Sequence, residues 1–349
     1  MKKILISISL LISSLTYAQI GGENTFEFLS LPKSGRITAM GGSYISNIDH
    51  DLSLAIQNPA GLHSSMHKNF NIGTNIFYGN VIYGHAAYAY DVKKIATFAV
   101  SLQYVNYGKM AKTDEAGNQI GTFRPNDWAI QIGAGRQIAP KYHLGANLKF
   151  ISSNIEQYHS GGMALDVAAS YLDTAKNFCA TLFIKDIGVQ FNPYVKGQKR
   201  EPLPFDIQLG FSYKPKFLPF RFSLIAHNLF RWNIRYDDPR NVDNTTVFGD
   251  SSEIKKPKKY IFDKIARHFI IGTEISIKKV VRINFAYNHM NRAEHAFENK
   301  KSLAGFSFGL GVHVKQFDVS YGIQVFAKGY TSHHFSINID FGKFIKKAS

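Results

Sequence analysis

The 349-residue chain carries 28 Phe, 18 Tyr and 28 Gly against 11 Pro, one Cys and a formal net charge of +16. One cysteine excludes an internal disulfide, and beyond the N-terminus no stretch reaches the roughly 20 apolar residues of a membrane-spanning helix. Abundant aromatics and glycines point instead to many strands, with small residues where backbones crowd.

Met1-Lys2-Lys3, the apolar run Ile4 to Leu15 and the small-residue end Thr16-Tyr17-Ala18 read as a signal peptide over residues 1–18, cleaved before Gln19. Export changes the meaning of the charge. Loss of two lysines leaves +14 (16 minus 2), and the polyanions outside are lipopolysaccharide and phospholipid headgroups, not nucleic acid. In that oxidising compartment the lone Cys179 is expected as a buried packing residue.

Residues 19–67 do not alternate like a membrane strand. Pro32 to Met40 and Asp51 to Gln57 predict short helical turns, with Asp49 or Asp51 as N-cap. Asn58-Pro59 stops the second turn, because the residue before proline is pushed out of the helical region. Gly41-Gly42 and Gly61 allow close turns. The segment is expected as a plug in a lumen or a body in the periplasm.

From residue 68 to 349 one pattern repeats: segments of roughly 10 residues alternate apolar with small or polar, separated by turn residues. Phe306, Phe308, Leu310, Val312 and Val314 alternate with Ser307, Gly309, Gly311 and His313. Phe335, Ile337, Ile339 and Phe341 alternate with Ser336, Asn338 and Asp340. Such strands predict an all-β, transmembrane antiparallel β-barrel of about 14 strands with a short N-terminal helical plug. Tight Lys-rich turns such as Lys278-Lys279 and Lys315-Gln316 take turns with longer stretches at 107–126, 188–202, 230–263 and 289–302. Short periplasmic turns and long extracellular loops, the largest at 230–263, are the expected arrangement. Tyr78, Tyr104, Tyr142, Tyr158, Tyr287 and Tyr330 suit the headgroup level.

Asn58-Pro59-Ala60-Gly61 resembles the Asn-Pro-Ala motif in the hatch of FadL-like outer-membrane barrels. The opening from Gly21 to Pro32, with Arg36, Ala39-Met40-Gly41-Gly42, Asp49, Asp51 and Leu54-Ala55, resembles the PorQ family more closely. The resemblance is specific over about residues 20–62 and rests beyond that on length and strand layout. It implies a non-enzymatic barrel of the type IX secretion system in a Gram-negative outer membrane. Such a barrel anchors the surface protein PorZ in an attachment complex with PorU and PorV, beside lipopolysaccharide. The alternative is a FadL-like channel for hydrophobic small molecules.

Matches to enzyme motifs are read as chance. Ser65 with Lys68, Ser252 with Lys255, Ser152-Ser153-Asn154 and Lys33-Ser34-Gly35 fit the Ser-x-x-Lys, Ser-x-Asn and Lys-[Ser/Thr]-Gly set. They stand in the wrong order and outside helices. A lipase or protease would need Ser, His and an acid brought together from distant strands, and no spacing pairs them. His63 and His67 lack a third metal ligand, His333 and His334 fall on opposite strand faces, and Asp114-Glu115-Ala116-Gly117-Asn118 lacks calcium-loop spacing. No metal, cofactor or catalytic residue is expected. The loop at 230–263 interleaves Arg231, Arg235 and Arg240 with Trp232 and Tyr236, the residue types that dominate interface energetics, and predicts a docking surface.

Overall fold

The computed structural model describes residues 24–234, 261–295, 302–327 and 329–345. Alternation with period two sends successive side chains to opposite faces of a strand, and the barrel obeys it. In the strand Phe306–Val314, Phe308, Leu310 and Val312 are exposed while Ser307, Gly309 and Gly311 are buried. Large apolar residues therefore form the outside of the sheet, and small or hydrogen-bonding ones line the inside. That is the inverse of a soluble core, and it is the surface a barrel presents to lipid.

In chain order the strands are β1 (Asn69–Ile76), β2 (Ile82–Val92), β3 (Ala96–Asn106), β4 (Met110–Thr113), β5 (Gln119–Phe123), β6 (Asn126–Ala139), β7 (Tyr142–Ile155) and β8 (Tyr158–Asp173). They continue as β9 (Phe178–Asn192), β10 (Asp206–Tyr213), β11 (Phe220–Ala226), β12 (Phe269–Ile277), β13 (Val281–Asn288), β14 (Phe306–Val314), β15 (Phe317–Ala327) and β16 (Tyr330–Asp340). All except β4 and β5 close into one antiparallel barrel of 14 strands, β1 pairing with both β2 and β16. Closure leaves no strand edge for lipid to meet unpaired.

The alternation places strand starts near Phe70, Val81, Ala96, Trp128, Tyr142, Met163, Phe178, Phe205, Phe220, His268, Val281, Leu303, Phe317 and Phe335. Twelve of these hold to within three residues; the strand placed near Met163 begins at Tyr158 and that near Phe335 begins at Tyr330. The stretch 188–202 is not all loop, since β9 runs on to Asn192. The stretch 107–126 folds back as the β4–β5 hairpin outside the barrel. The end that holds the tight Lys-rich turns also holds the start of β1 and the end of β16, joined by Asn69 opposite Asp340. At the other end β7 meets β8 across 156–157 and β15 meets β16 across 328–329. Long loops there are therefore confined to four connections, and the largest extends from β11 to β12 across 227–268.

Residues 24–67 lie inside the barrel. Two short helices, α1 (Gly35–Ala39) and α2 (Leu52–Gln57), are joined by a chain that turns at Gly41 and Gly42, both at positive φ. Asp51 caps α2 by accepting the amide hydrogen of Ser53, as expected, but α1 is capped by Ser34 through the amide of Ile37. The signal segment and residues 19–23 lie outside the described residues. Among the described residues no helix is long and apolar enough to cross a membrane; β-strands do the crossing.

Candidate functional site

The plug is fixed to the wall by charge, by hydrogen bonds and by shape. Arg36, on α1, is 1 % exposed. Its guanidinium donates to both carboxylate oxygens of Glu274 on β12, at 2.8 and 2.9 Å, and pairs with Asp49 at 2.7 Å and Asp51 at 3.3 Å. One cation thus joins the first plug helix, the loop before the second and the barrel wall. Burial raises the Asp49 carboxyl, but the Arg36 guanidinium beside it outweighs burial and holds it well below the usual carboxylate range. For Asp51 burial prevails over Arg36 and pushes the carboxyl up.

Lys33 forms a second tie. Its Nζ donates to Gln131 Oε1 on β6 at 2.8 Å, and the side-chain amides of Gln131 and Asn147 donate to the Ile56 carbonyl at the end of α2. Burial, reinforced by the neighbouring Lys149 charge, lowers the Lys33 amine to about 7. Lys149 itself reaches Asp166 at 2.8 Å and Asp186 at 2.7 Å, where a register shift interrupts the β8–β9 pairing.

The Asn-Pro-Ala-Gly motif sits at the centre of the plug. Asn58 accepts the amide of Ala60 and donates to the Ile45 carbonyl at 2.8 Å and to Ser170 Oγ on β8 at 3.3 Å. Pro59 begins a short 3-10 turn through Gly61, and Pro59, Ala60 and Gly61 are all buried. The wall is cut away beneath it. A Cβ at Gly135 or Gly145 would fall on the Pro59 backbone, and one at Gly322 on the Gly35 carbonyl. Gly272 faces Met40, whose Cε would lie 2.6 Å from an added Cβ. These glycines exist to let the plug backbone touch the strands.

The space left over has a mixed lining at the loop end and a polar one at the turn end. A cavity of 280 Å³ at the loop end is lined by Glu27, Lys185, Asp206, His227 and Asn288 among others. One of 240 Å³ at the turn end is lined by Asp49, Arg282, Asp318 and Asp340. Inward-facing Asp206, Gln208, Glu274, Asn284, Ser307 and Asn338 are all buried, and Asp340 is half-buried on the same face as Asn338.

The expected docking surface is described in part. Trp232 is 67 % exposed and stacks on His268 at 5.5 Å. Arg231 stands beside it, its amide bonded to the Asn228 carbonyl. Arg235, Tyr236 and Arg240 lie outside the described residues. What the sequence did not single out is Phe262, 81 % exposed on the short helix α3 (Ile261–Ala266), together with exposed Ile261 and Phe230. Their sequence signal is a plain apolar pair beside the lysine run. Among the described residues the loop end therefore carries a group of exposed large apolar side chains.

The enzyme-like motifs stay apart. Ser65 meets His50, Ser34 caps α1, Lys33 meets Gln131, and Ser153 meets Asp127; Ser252 and Lys255 lie outside the described residues. His63 Nδ1 bonds the Gly61 carbonyl, while His67 Nδ1 accepts the Asp91 amide. His333 and His334 do point to opposite faces. Asp114 accepts the amides of Ala116 and Asn118, closing its own loop tip. No group of three metal-ligating side chains occurs among the described residues. Cys179 is buried, as expected.

A scan against protein-family models finds none that matches, and a search of curated proteins finds no match. Solved structures do match. The toluene transporter TodX of P. putida aligns with a TM-score of 0.50 at 13 % identity, over 87 % of this chain and 96 % of that one. A second crystal structure of TodX gives 0.50 at 11 % identity, over 88 % and 96 %. What is shared is the fold. The monoaromatic hydrocarbon channel CymD aligns at 0.47 with 13 % identity, over 90 % and 97 %.

Proposed function

We propose that this chain is a non-enzymatic outer-membrane platform: a barrel whose lumen is permanently occupied and whose loop end holds a partner at the cell surface. The observation that carries this is the Arg36 clamp, which joins two parts of the plug to Glu274 while other plug groups hydrogen-bond opposite walls. Breaking a buried ion pair costs about 3–5 kcal/mol, so repeated displacement of this plug is unfavourable. The exposed Phe230, Trp232 and Phe262 supply the apolar surface a partner would cover. The N-terminal resemblance to the PorQ family gives the partner a name: PorZ, held near PorU and PorV in the attachment complex of the type IX secretion system, beside lipopolysaccharide.

The second reading is a channel for hydrophobic small molecules. The fold likeness to TodX favours it, as does a 300 Å³ recess in the outer wall among Tyr142, Leu144, Tyr171, Leu182 and Phe211. Against it stands the turn end: the 240 Å³ cavity there is lined by Asp49, Arg282, Asp318 and Asp340, charged groups an apolar molecule would have to pass, although Leu31, Phe205, Ile270 and Phe326 line part of the 280 Å³ cavity at the loop end. Affinity purification from native outer membranes separates the two. Co-purification of a surface protein complex supports the platform. Recovery of the barrel alone with a bound apolar molecule, together with uptake that depends on the gene, would replace it with the channel.

A further inference from the structure

Six tight turns close the end of the barrel that holds both the start of β1 and the end of β16: those joining β2–β3, β6–β7, β8–β9, β10–β11, β12–β13 and β14–β15. Each carries at least one lysine. Some of these lysines occupy backbone positions that disfavour them. Lys94 (φ 70), Lys278 (φ 49), Lys279 (φ 56) and Lys315 (φ 55) are all left-handed, the conformation that tight turns normally give to Gly, Asn or Asp. An ammonium group has been kept there against local preference.

The flanks show where that charge sits. Lys94 is followed by Ile95, Lys278-Lys279 are bracketed by Ile277 and Val280, and Lys315 stands between Val314 and Phe317, all of them exposed apolar side chains of the lipid-facing surface. Phe217, in the β10–β11 turn between Lys216 and Leu218, is 96 % exposed. Lysine stems lying along apolar surface carry their heads to the headgroup layer. Carboxylates are present at this rim and take two of the charges: Asp173 holds Lys141 at 2.7 Å and Asp340 holds Lys343 at 3.2 Å. Lys94, Lys278, Lys279 and Lys315 are exposed and make no ion pair among the described residues.

We infer that this rim binds the phosphate groups of anionic phospholipids in the leaflet it faces, as a ring of sites around the barrel. A soluble acidic protein fits less well, because the charges are interrupted at every turn by side chains that need lipid. A free anion would not require the apolar flanks.

The test uses the full mature chain, purified in a neutral detergent and exposed to equal amounts of phosphatidylglycerol and phosphatidylcholine before native mass spectrometry. The wild-type barrel should retain several-fold more phosphatidylglycerol. In the variant Lys94→Asn/Lys278→Asn/Lys279→Asn/Lys315→Asn, asparagine suits the left-handed turns. The heat-modifiable fold should therefore persist while the lipid preference falls by a factor of five or more. The same four positions changed to Gln check that loss of charge, not the asparagine, is responsible. Equal retention of both lipids by the wild type overturns the inference, and so does a preference that survives in either variant. Glycerol 3-phosphate at millimolar concentration should leave the bound lipid in place, and its release would assign the sites to a free anion instead.

Discussion

Arg36 and Glu274 are 238 positions apart, yet the guanidinium grips both oxygens of the carboxylate, at 2.8 and 2.9 Å. Removing Arg36 leaves the Glu274 carboxylate buried without the cation that pairs with it. Arg36→Ala should lower stability by about 3–5 kcal/mol, measured as a drop in the temperature at which the barrel loses its heat-modifiable band. The same variant in a planar bilayer should show ion current that the wild type lacks. A variant as stable and as tight as the wild type would remove the clamp from the account.

The glycines under the plug supply an independent test of its seating. Gly322→Ala and Gly145→Ala drive a methyl group into plug backbone, and overpacking of this kind costs about 1–3 kcal/mol. Gly84→Ala on β2 is the control, because its nearest neighbour would lie 3.9 Å from the added Cβ. Melting of the three purified variants should place Gly84→Ala with the wild type and the other two below it.

Lys33 gives the plug a pH dependence of known sign. Its amine titrates at about 7 in the folded protein against 10.5 for the ordinary group. Between those values the unfolded chain binds more protons, so stability rises with pH. Thermal melting should therefore climb from pH 7 towards pH 10, and Lys33→Met should flatten that part of the profile. A flat profile over the same window in the wild type would mean that Lys33 is held charged by its carbonyl partners.

The outer wall should reject charge. Ile132, exposed near the middle of β6, faces the bilayer in this arrangement, and Ile132→Lys should cost about 2–4 kcal/mol in a lipid-refolding equilibrium. Ile120 is more exposed still but lies on the β5 hairpin strand outside the barrel. Ile120→Lys should be silent in the same assay.

At the loop end, Trp232→Ala and Phe262→Ala should leave the barrel folded while weakening partner retention. Loss of a central aromatic anchor is worth about 2 kcal/mol, a factor of roughly thirty in affinity. On the platform proposal, the measurement is the amount of PorZ, the proposed partner, retained at the surface of cells carrying each variant. Undiminished retention in both would move the docking surface elsewhere on the loops.

The barrel was legible because lipid enforces it strand by strand: most outward positions are apolar, with exceptions such as Thr74 and His333 towards the strand ends, so β14 and β16 declare themselves without reference to any other strand. Loop lengths were less legible. Two-residue connections at 156–157 and 328–329 can close either end of a barrel, and no local rule assigns them. The plug was visible as a helical, proline-stopped segment, and Asp51 as its cap. Its attachment was not. Arg36, Lys33 and Glu274 acquire their roles from partners brought in by strands that share no sequence neighbourhood with them. Gly322 and Gly145 carry no local mark of their role, because the backbone that fills the place of their missing side chains comes from the plug.

The plug touches β16, through the Gly35 amide on Ser336 and Asn338 on the His50 carbonyl, as well as β2, β6, β8 and β12. β16 is also the strand that closes the ring on β1, through eight facing pairs from Asn69–Asp340 to Ile76–His333. The seam of the barrel and the seat of the plug therefore share one strand, and a change that loosens either one reaches the other through Ser336 and Asn338.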